Sequence, residues 1–280
     1  MTVETPSGKD AAGENFPVGS FLIKPALRRH VAVYYAFARA IDDIADSPTL
    51  PAEEKLERLD GFEQALRGRT DRAGFEKAYA LAASLAETDV AVEHGTDLIA
   101  AFKQDAVKSR YHDWDDLMAY CRLSAAPVGR YLIDLHGGAR ASYPASDALC
   151  AALQVINHLQ DCGDDYRTLD RVYLPGDWMK DADARIEELG GRRLSPGLRR
   201  VVERCLAGCR ELLSTARPLP HAVGNRRLAL ESAVVIAIAD GLIAKLAAED
   251  PLTNRVRLSR GEMALRGMTA LLRLPFGSRG

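Results

Sequence analysis

The chain has 280 residues, 47% of them apolar and 27% charged, with a net charge of −2 at neutral pH. That balance fits a globular protein with a substantial core and argues against nucleic acid as a partner, because no dense basic tract is present. Five cysteines without a paired CxxC spacing point away from a disulfide framework or a zinc site and fit a reducing, cytoplasmic setting. No apolar run of about 20 residues is available to span a bilayer, so any membrane contact is expected to be peripheral.

Helical periodicity recurs through most of the sequence and alternating β-branched runs are scarce, so an all-α fold in a single large domain is expected. The pattern predicts helices over 26–47, 51–68, 71–86, 92–108, 113–137, 146–168, 196–215, 224–248 and 259–273. Prolines 51, 144, 196, 218 and 251 stand at or near starts and breaks. Residues 1–13 are expected to form a flexible N-terminal segment, 14–275 the folded domain and 276–280 a tail.

In the first predicted helix Asp42 and Asp46 are four residues apart, so two carboxylates share one face. Arg39 precedes them at i−3 on the same stripe, within an apolar surround of Tyr34, Phe37, Ala38, Ile41 and Ala45. No lysine or arginine follows four residues on to relieve the like charges. The predicted helix over 113–137 contains Pro127 and Gly129, which should kink it; Tyr120 and Ser124 fall on one side of that segment.

The helix over 146–168 repeats the carboxylate spacing with Asp161 and Asp165, extended by Gln154 and Asn157 into a polar stripe on an otherwise apolar helix. So narrow a stripe is better explained by a cavity wall than by bulk water. Gly163, between the two aspartates, marks either a ligand approach or a tight helix crossing. Magnesium is held by one or two carboxylates, several waters and substrate phosphate oxygens, so two facing pairs suit a diphosphate carried on a small magnesium cluster. Arg171, six residues past Asp165, is placed either to grip a phosphate oxygen or to pair with Asp165 or Asp170. The C-terminal Leu265-Arg-Gly-Met-Thr-Ala-Leu-Leu-Arg-Leu-Pro-Phe276 is amphipathic and could pack on the bundle or rest on a membrane.

Three segments together resemble the squalene/phytoene synthase family of head-to-head prenyl synthases. They are Tyr34-Tyr-Ala-Phe-Ala-Arg-Ala-Ile-Asp-Asp-Ile-Ala-Asp46, Tyr120-Cys-Arg-Leu-Ser-Ala-Ala-Pro-Val-Gly129, and Gln154-Val-Ile-Asn-His-Leu-Gln-Asp-Cys-Gly-Asp-Asp165 followed by Arg171-Val-Tyr-Leu-Pro175. The resemblance implies an isoprenoid synthase helical bundle around a central cavity, with the aspartate motifs on facing walls. It makes Asp42, Asp46, Asp161 and Asp165 ligands of two or three magnesium ions. Arg39, Tyr35, Gln154, Arg171, Tyr173 and Gly129 become substrate-binding residues, and Asp42, Asp161, Tyr120 and Asn157 catalytic ones.

Family members that condense two prenyl diphosphates usually carry a Ser-x-Ser-Phe near the N-terminus. Here Glu14-Asn-Phe-Pro-Val-Gly-Ser20 stands instead, similar to the bacterial hopanoid-pathway branch that converts presqualene diphosphate to hydroxysqualene. Gln160 replaces the arginine usual before the second motif. Presqualene diphosphate is the expected substrate and no NADPH is expected. A condensing synthase using farnesyl or geranylgeranyl diphosphate is the alternative, and a non-catalytic helical assembly factor a second one. Coupling to other squalene-pathway enzymes and a peripheral contact with the inner membrane are further expectations.

Overall fold

The structure, a computed structural model, describes Val3 and residues 23–273. The expectations for 1–13, for Glu14–Ser20 and for the tail therefore lie outside the described residues. Within them the order is α1 (Pro25–Ala45), α2 (Ala52–Leu66), α3 (Glu76–Thr88), α4 (Glu93–Asp105), β1 (Arg110–Tyr111), α5 (Trp114–Ser124), α6 (Ala126–Leu135), α7 (Tyr143–Leu169), β2 (Val172–Pro175), α8 (Gly176–Asp181), α9 (Pro196–Ala216), α10 (Leu219–Ala222), α11 (Arg226–Ala248) and α12 (Arg260–Arg273). The all-α expectation holds. The two short strands, which no sequence period announced, form one parallel contact in which Val172 N–H donates to the Ser109 carbonyl.

Two apolar cores meet in the molecule. Val31, Tyr34, Phe37, Ile41 and Ile44 recur along α1 at helical spacing and pack with Phe62 of α2, Leu81 of α3 and Leu98 of α4. The larger core gathers α5, α7, α9 and α11, with Val155, Ile156 and Leu159 of α7 beside Val202, Cys205 and Cys209 of α9 and Ile238 and Leu242 of α11. Tyr131 and Leu135 carry α6 into the first core, and Tyr131 stacks on Tyr34 with ring centroids 4.0 Å apart.

The predicted helix over 113–137 divides at Ala125, where the backbone leaves the helical region just ahead of Pro127. Gly129 then lies where α6 crosses α7. A Cβ there would stand 2.7 Å from Cys150 Sγ and still closer to Ser146 Oγ, so the glycine permits close packing of two helices. Gly163 is no helix crossing: it is covered by the turn after α11, with Leu252 Cδ2 2.7 Å from where its Cβ would be.

α7 and α11 share both ends of the bundle. At one end Asn225 donates to the His136 carbonyl (3.1 Å) and Ala139 N–H to the Val223 carbonyl (3.0 Å). At the other, Gln160 Nε2 donates to the Val256 carbonyl (2.5 Å). This second end carries the candidate site.

Candidate active site

Each acidic motif is neutralised by arginine. On α1, Arg39 donates through one nitrogen to Asp42 Oδ2 (2.7 Å) and through the other to Asp43 Oδ1 (2.6 Å). The relief expected from a following cation comes from a preceding one. On α7, Asp161 accepts both arms of Arg255, Nε to Oδ1 and Nη2 to Oδ2, each 2.7 Å. Arg255 lies in the segment after α11, 94 residues away, and the sequence reading missed it. Its only local signal is the Arg255-Val-Arg257 doublet after a helix end.

Arg171 joins the two halves. Its Nη1 donates to Asp46 (2.9 Å), and its Nη2 to the backbone carbonyls of Asp105 (3.2 Å) and Ala45 (3.4 Å). Of the two uses considered for Arg171, the ion pair is made, but with Asp46 of α1. Asp170 is engaged instead by Arg110 (2.6 Å). Asp105, the last residue of α4, is sealed in the interior and accepts from Tyr120 Oη (2.6 Å) and Tyr173 Oη (3.1 Å). Burial pushes its carboxyl up to about 6 against the opposing pull of Arg171.

Tyr111, Tyr120 and Tyr173 form one aromatic group with ring centroids 5.3 to 5.6 Å apart. His158 of α7 stacks on Tyr173 at 3.5 Å. Burial, reinforced by the charge of Arg171, drives the His158 imidazole down to about 3, so it is neutral. Its Nε2 then accepts from Gln154 Nε2, 3.1 Å away. An unbroken chain of contacts thus runs from the second motif to the first, through His158, Tyr173, Arg171 and Asp46.

Asp42, Asp46, Asp161 and Asp165 are all half-buried, so each keeps surface that an ion could reach. Tyr35, Gln154 and Asn157 are half-buried too, whereas Tyr120 and Tyr173 are sealed. Burial raises the Asp161 carboxyl while Arg255 counters it. Among the described residues no three His, Cys, Asp or Glu side chains converge to hold a metal by themselves. Accessible oxygen donors presented in pairs nevertheless suit magnesium, which completes its octahedron with water and phosphate oxygens. The donor set fits.

The stripe runs inward from these carboxylates. Burial pushes the Cys150 thiol up to about 12 and lowers His158, yet both retain surface that water can touch, as do Leu153 and Asn157 between them. These partly accessible side chains continue the stripe along α7 beyond the carboxylates. The polar end of the stripe is the carboxylates with their arginines; further along, α7 presents Leu153 and Cys150.

An all-helical bundle with two aspartate pairs and their arginines linked at one end defines an isoprenoid-synthase type of protein. The chain matches the squalene/phytoene synthase family over residues 9–262 and belongs to it. It is 44% identical to the hydroxysqualene synthase of Rhodopseudomonas palustris, covering 96% of this chain and 91% of that one. The hydroxysqualene synthase of Sinorhizobium fredii is 42% identical over 92% of this chain and 88% of its own. The crystal structure titled squalene synthase HpnC from Alicyclobacillus acidocaldarius superposes with a TM-score of 0.72 at 30% identity, covering 84% of this chain and 88% of that one.

Proposed function

We propose that this protein converts presqualene diphosphate and water into hydroxysqualene and diphosphate. The observation that carries the reading is the set of arginine-paired carboxylates from two helices, joined by an unbroken chain of contacts through His158, Tyr173 and Arg171. The similarity to two hydroxysqualene synthases along nearly the whole chain supports it.

Asp42 and Asp46 on one wall and Asp161 and Asp165 on the other would hold two or three magnesium ions. Magnesium, when bound, neutralises the charge that builds on the departing diphosphate. Arg39 and Arg171 would turn part of their hydrogen bonding from carboxylate to phosphate oxygen, and Arg255 stands where it could do the same. The carbon–oxygen bond breaks with its electron pair leaving on diphosphate, and the cyclopropylcarbinyl cation rearranges between apolar and aromatic walls. A water oxygen then bonds to carbon and releases its proton.

Asn157 is assigned to orienting that water, and Tyr120, which the sequence reading paired with it, is buried and supports the site from behind. Asn157 stands on the accessible stripe, and the Tyr120 hydroxyl is anchored on Asp105, so the ring is held still. Tyr35 and Gln154 complete the substrate contacts, and Tyr173, buried, acts only by holding His158 and Arg171 in place. Gly129 contributes by letting α6 and α7 close up.

The test is to supply purified protein and magnesium with presqualene diphosphate or with farnesyl diphosphate alone, and to identify products by mass spectrometry. Hydroxysqualene from the first and nothing from the second is the expected result. A C30 product or presqualene diphosphate from farnesyl diphosphate alone would make the chain a condensing synthase. A protein inert towards both would fit the assembly factor, a reading disfavoured by two intact aspartate motifs. Reduction by NADPH has no part in the proposed reaction.

Among the described residues no helix is long and apolar enough to cross a membrane. We also infer a peripheral contact with the anionic surface of the inner membrane, made by α12. One face of this helix packs on α11, where Gly267 lies against Val234, while Leu265, Met268 and Leu272 are 63%, 58% and 82% exposed. Arg260, Arg266 and Arg273 against one acid, Glu262, give the helix the charge such a surface attracts. Coupling to other enzymes of squalene metabolism would follow from sharing that surface.

A further inference from the structure

His158 belongs to the second motif, yet the chemistry above leaves it only as a link in a chain of contacts. It follows Gln154 by four residues and precedes Asp161 by three, so it lies on the polar stripe of α7, next to Asn157. It keeps surface that water can touch, whereas Ile156 and Leu159 on either side are sealed. A histidine in so apolar a helix is usually a satisfied core residue. This one is satisfied at one nitrogen only.

Gln154 engages Nε2 at 3.1 Å, while Nδ1 makes no hydrogen bond among the described residues and is not sealed. His94 is the contrast, sealed and paired with Asp134 (3.0 Å). The His158 ring is also held in its plane. Tyr173 stacks on it at 3.5 Å with 13° between the planes, and the Tyr173 hydroxyl is fixed in turn by Asp105 and Arg171.

No carboxylate bonds to this imidazole, and burial together with the charge of Arg171 keeps it neutral. As the pair stands, Gln154 donates to Nε2 and the ring proton sits on Nδ1. A half-turn of the amide about its last bond brings Oε1 to the same place; Nε2–H then donates, and Nδ1 is left with a free electron pair. Positive charge developing beside the ring favours that second arrangement, because a lone pair then faces the charge in place of an N–H.

We infer that His158 is the catalytic base of the capture step, its Nδ1 accepting a hydrogen bond from the water beside Asn157 and taking the proton as oxygen bonds to carbon. This rests on the proposed function. One electron pair of the water oxygen forms the carbon–oxygen bond, the O–H bond breaks with its pair staying on oxygen, and the proton moves to Nδ1. A protonated alcohol is a much stronger acid than an imidazolium, so even an imidazole lowered to about 3 is basic enough, and at neutral pH it passes the proton on to solvent or diphosphate. A cation without such a base loses a proton from its own carbon chain instead. His158 thereby decides that the product is an alcohol and not a more unsaturated hydrocarbon.

The test supplies wild type, His158→Phe and His158→Gln with magnesium and presqualene diphosphate, and measures products by mass spectrometry against diphosphate released. Phenylalanine keeps the stack on Tyr173 without an acceptor; glutamine keeps an acceptor oxygen. In His158→Phe the ratio of hydroxysqualene to hydrocarbons and isomeric alcohols should fall at least about tenfold, and His158→Gln should recover at least about threefold of that loss. An unchanged ratio in His158→Phe overturns the inference and leaves the proposed function standing, whether release is slowed or not. Loss of release altogether in a folded His158→Phe places the residue in ionisation and overturns it as well. If His158→Phe does not fold by circular dichroism, the ratio is read on His158→Ala, where it must fall in the same way. Wild type that makes no hydroxysqualene removes the proposed function and this inference with it.

Discussion

Asp161 accepts two guanidinium bonds while still partly open to solvent, and pairs of this kind add only about 0–1 kcal/mol to stability. Asp161→Ala should therefore melt within a few degrees of wild type while diphosphate release falls about 10³-fold, since a metal ligand acts on the transition state. Activity within a few-fold of wild type in a steady-state assay would remove the metal role. Asp105 behaves in the opposite way. Asp105→Ala leaves the hydroxyls of Tyr120 and Tyr173 and one side of Arg171 unpaired in the interior, at about 3 kcal/mol, which urea unfolding should register. Glu231 on α11, whose Oε2 is buried without a hydrogen bond among the described residues, adds a pH signature. Folded Glu231 holds its proton to about pH 7 and the unfolded residue only to its ordinary 4.5, so the folded state binds the extra proton between those values. Stability on this account falls as pH rises through that window. Glu231→Met should lack the loss and exceed wild type by about 1–3 kcal/mol above pH 7, with the gap closing towards pH 4.5. Asp105, raised to about 6, slopes the same way but is common to both proteins and cancels in the difference. A gap that ignores pH would contradict the buried position of Glu231.

Two glycines on the paired helices show how far element-level sequence reading reaches. Pro127 correctly marks the break between α5 and α6, because a missing amide and a ring clash are local facts. What Gly129 and Gly163 do is not local, since both are explained by side chains from elsewhere. Gly129→Ala would drive a Cβ into Ser146 and Cys150, on the rigid face of α7, and should cost about 1–3 kcal/mol. Gly163→Ala meets chiefly the far end of Leu252, which can swing aside, while the helix gains about 1 kcal/mol of propensity. Chemical denaturation of the pair should show Gly129→Ala destabilised and Gly163→Ala near neutral. The aspartate motifs were legible because their spacing lies within one helix turn. Arg255 and Glu231 were not, since one owes its importance to a contact 94 residues away and the other to a partner it lacks.

At the scale of the whole molecule the two ends of the bundle and its outer helix divide the problem of handling a greasy substrate. One end carries the charged groups proposed to gather the diphosphate, and the two cores are apolar. The helix leading away from α11 is apolar on two opposite sides, which a helix serving only the core has no need to be. The sequence pattern of α12 left packing and membrane contact as alternatives, and the structure accounts for the first with the Gly267 side while leaving Leu265, Met268 and Leu272 outward. Three such side chains contribute about 1.5–3 kcal/mol each when fully buried in lipid, and nearby arginines about 1 kcal/mol each at an anionic surface. Weak, salt-sensitive binding is therefore expected: sedimentation with phosphatidylglycerol vesicles in low salt, less with phosphatidylcholine, and release at high salt. Replacing Leu265, Met268 and Leu272 together by glutamate should abolish sedimentation without altering turnover of detergent-dispersed substrate, because the α11 side of the helix is untouched. If the variant instead converts a concentration-dependent dimer into a monomer by light scattering, a second copy of the chain covers this face. Equal sedimentation of variant and wild type would place the membrane contact elsewhere.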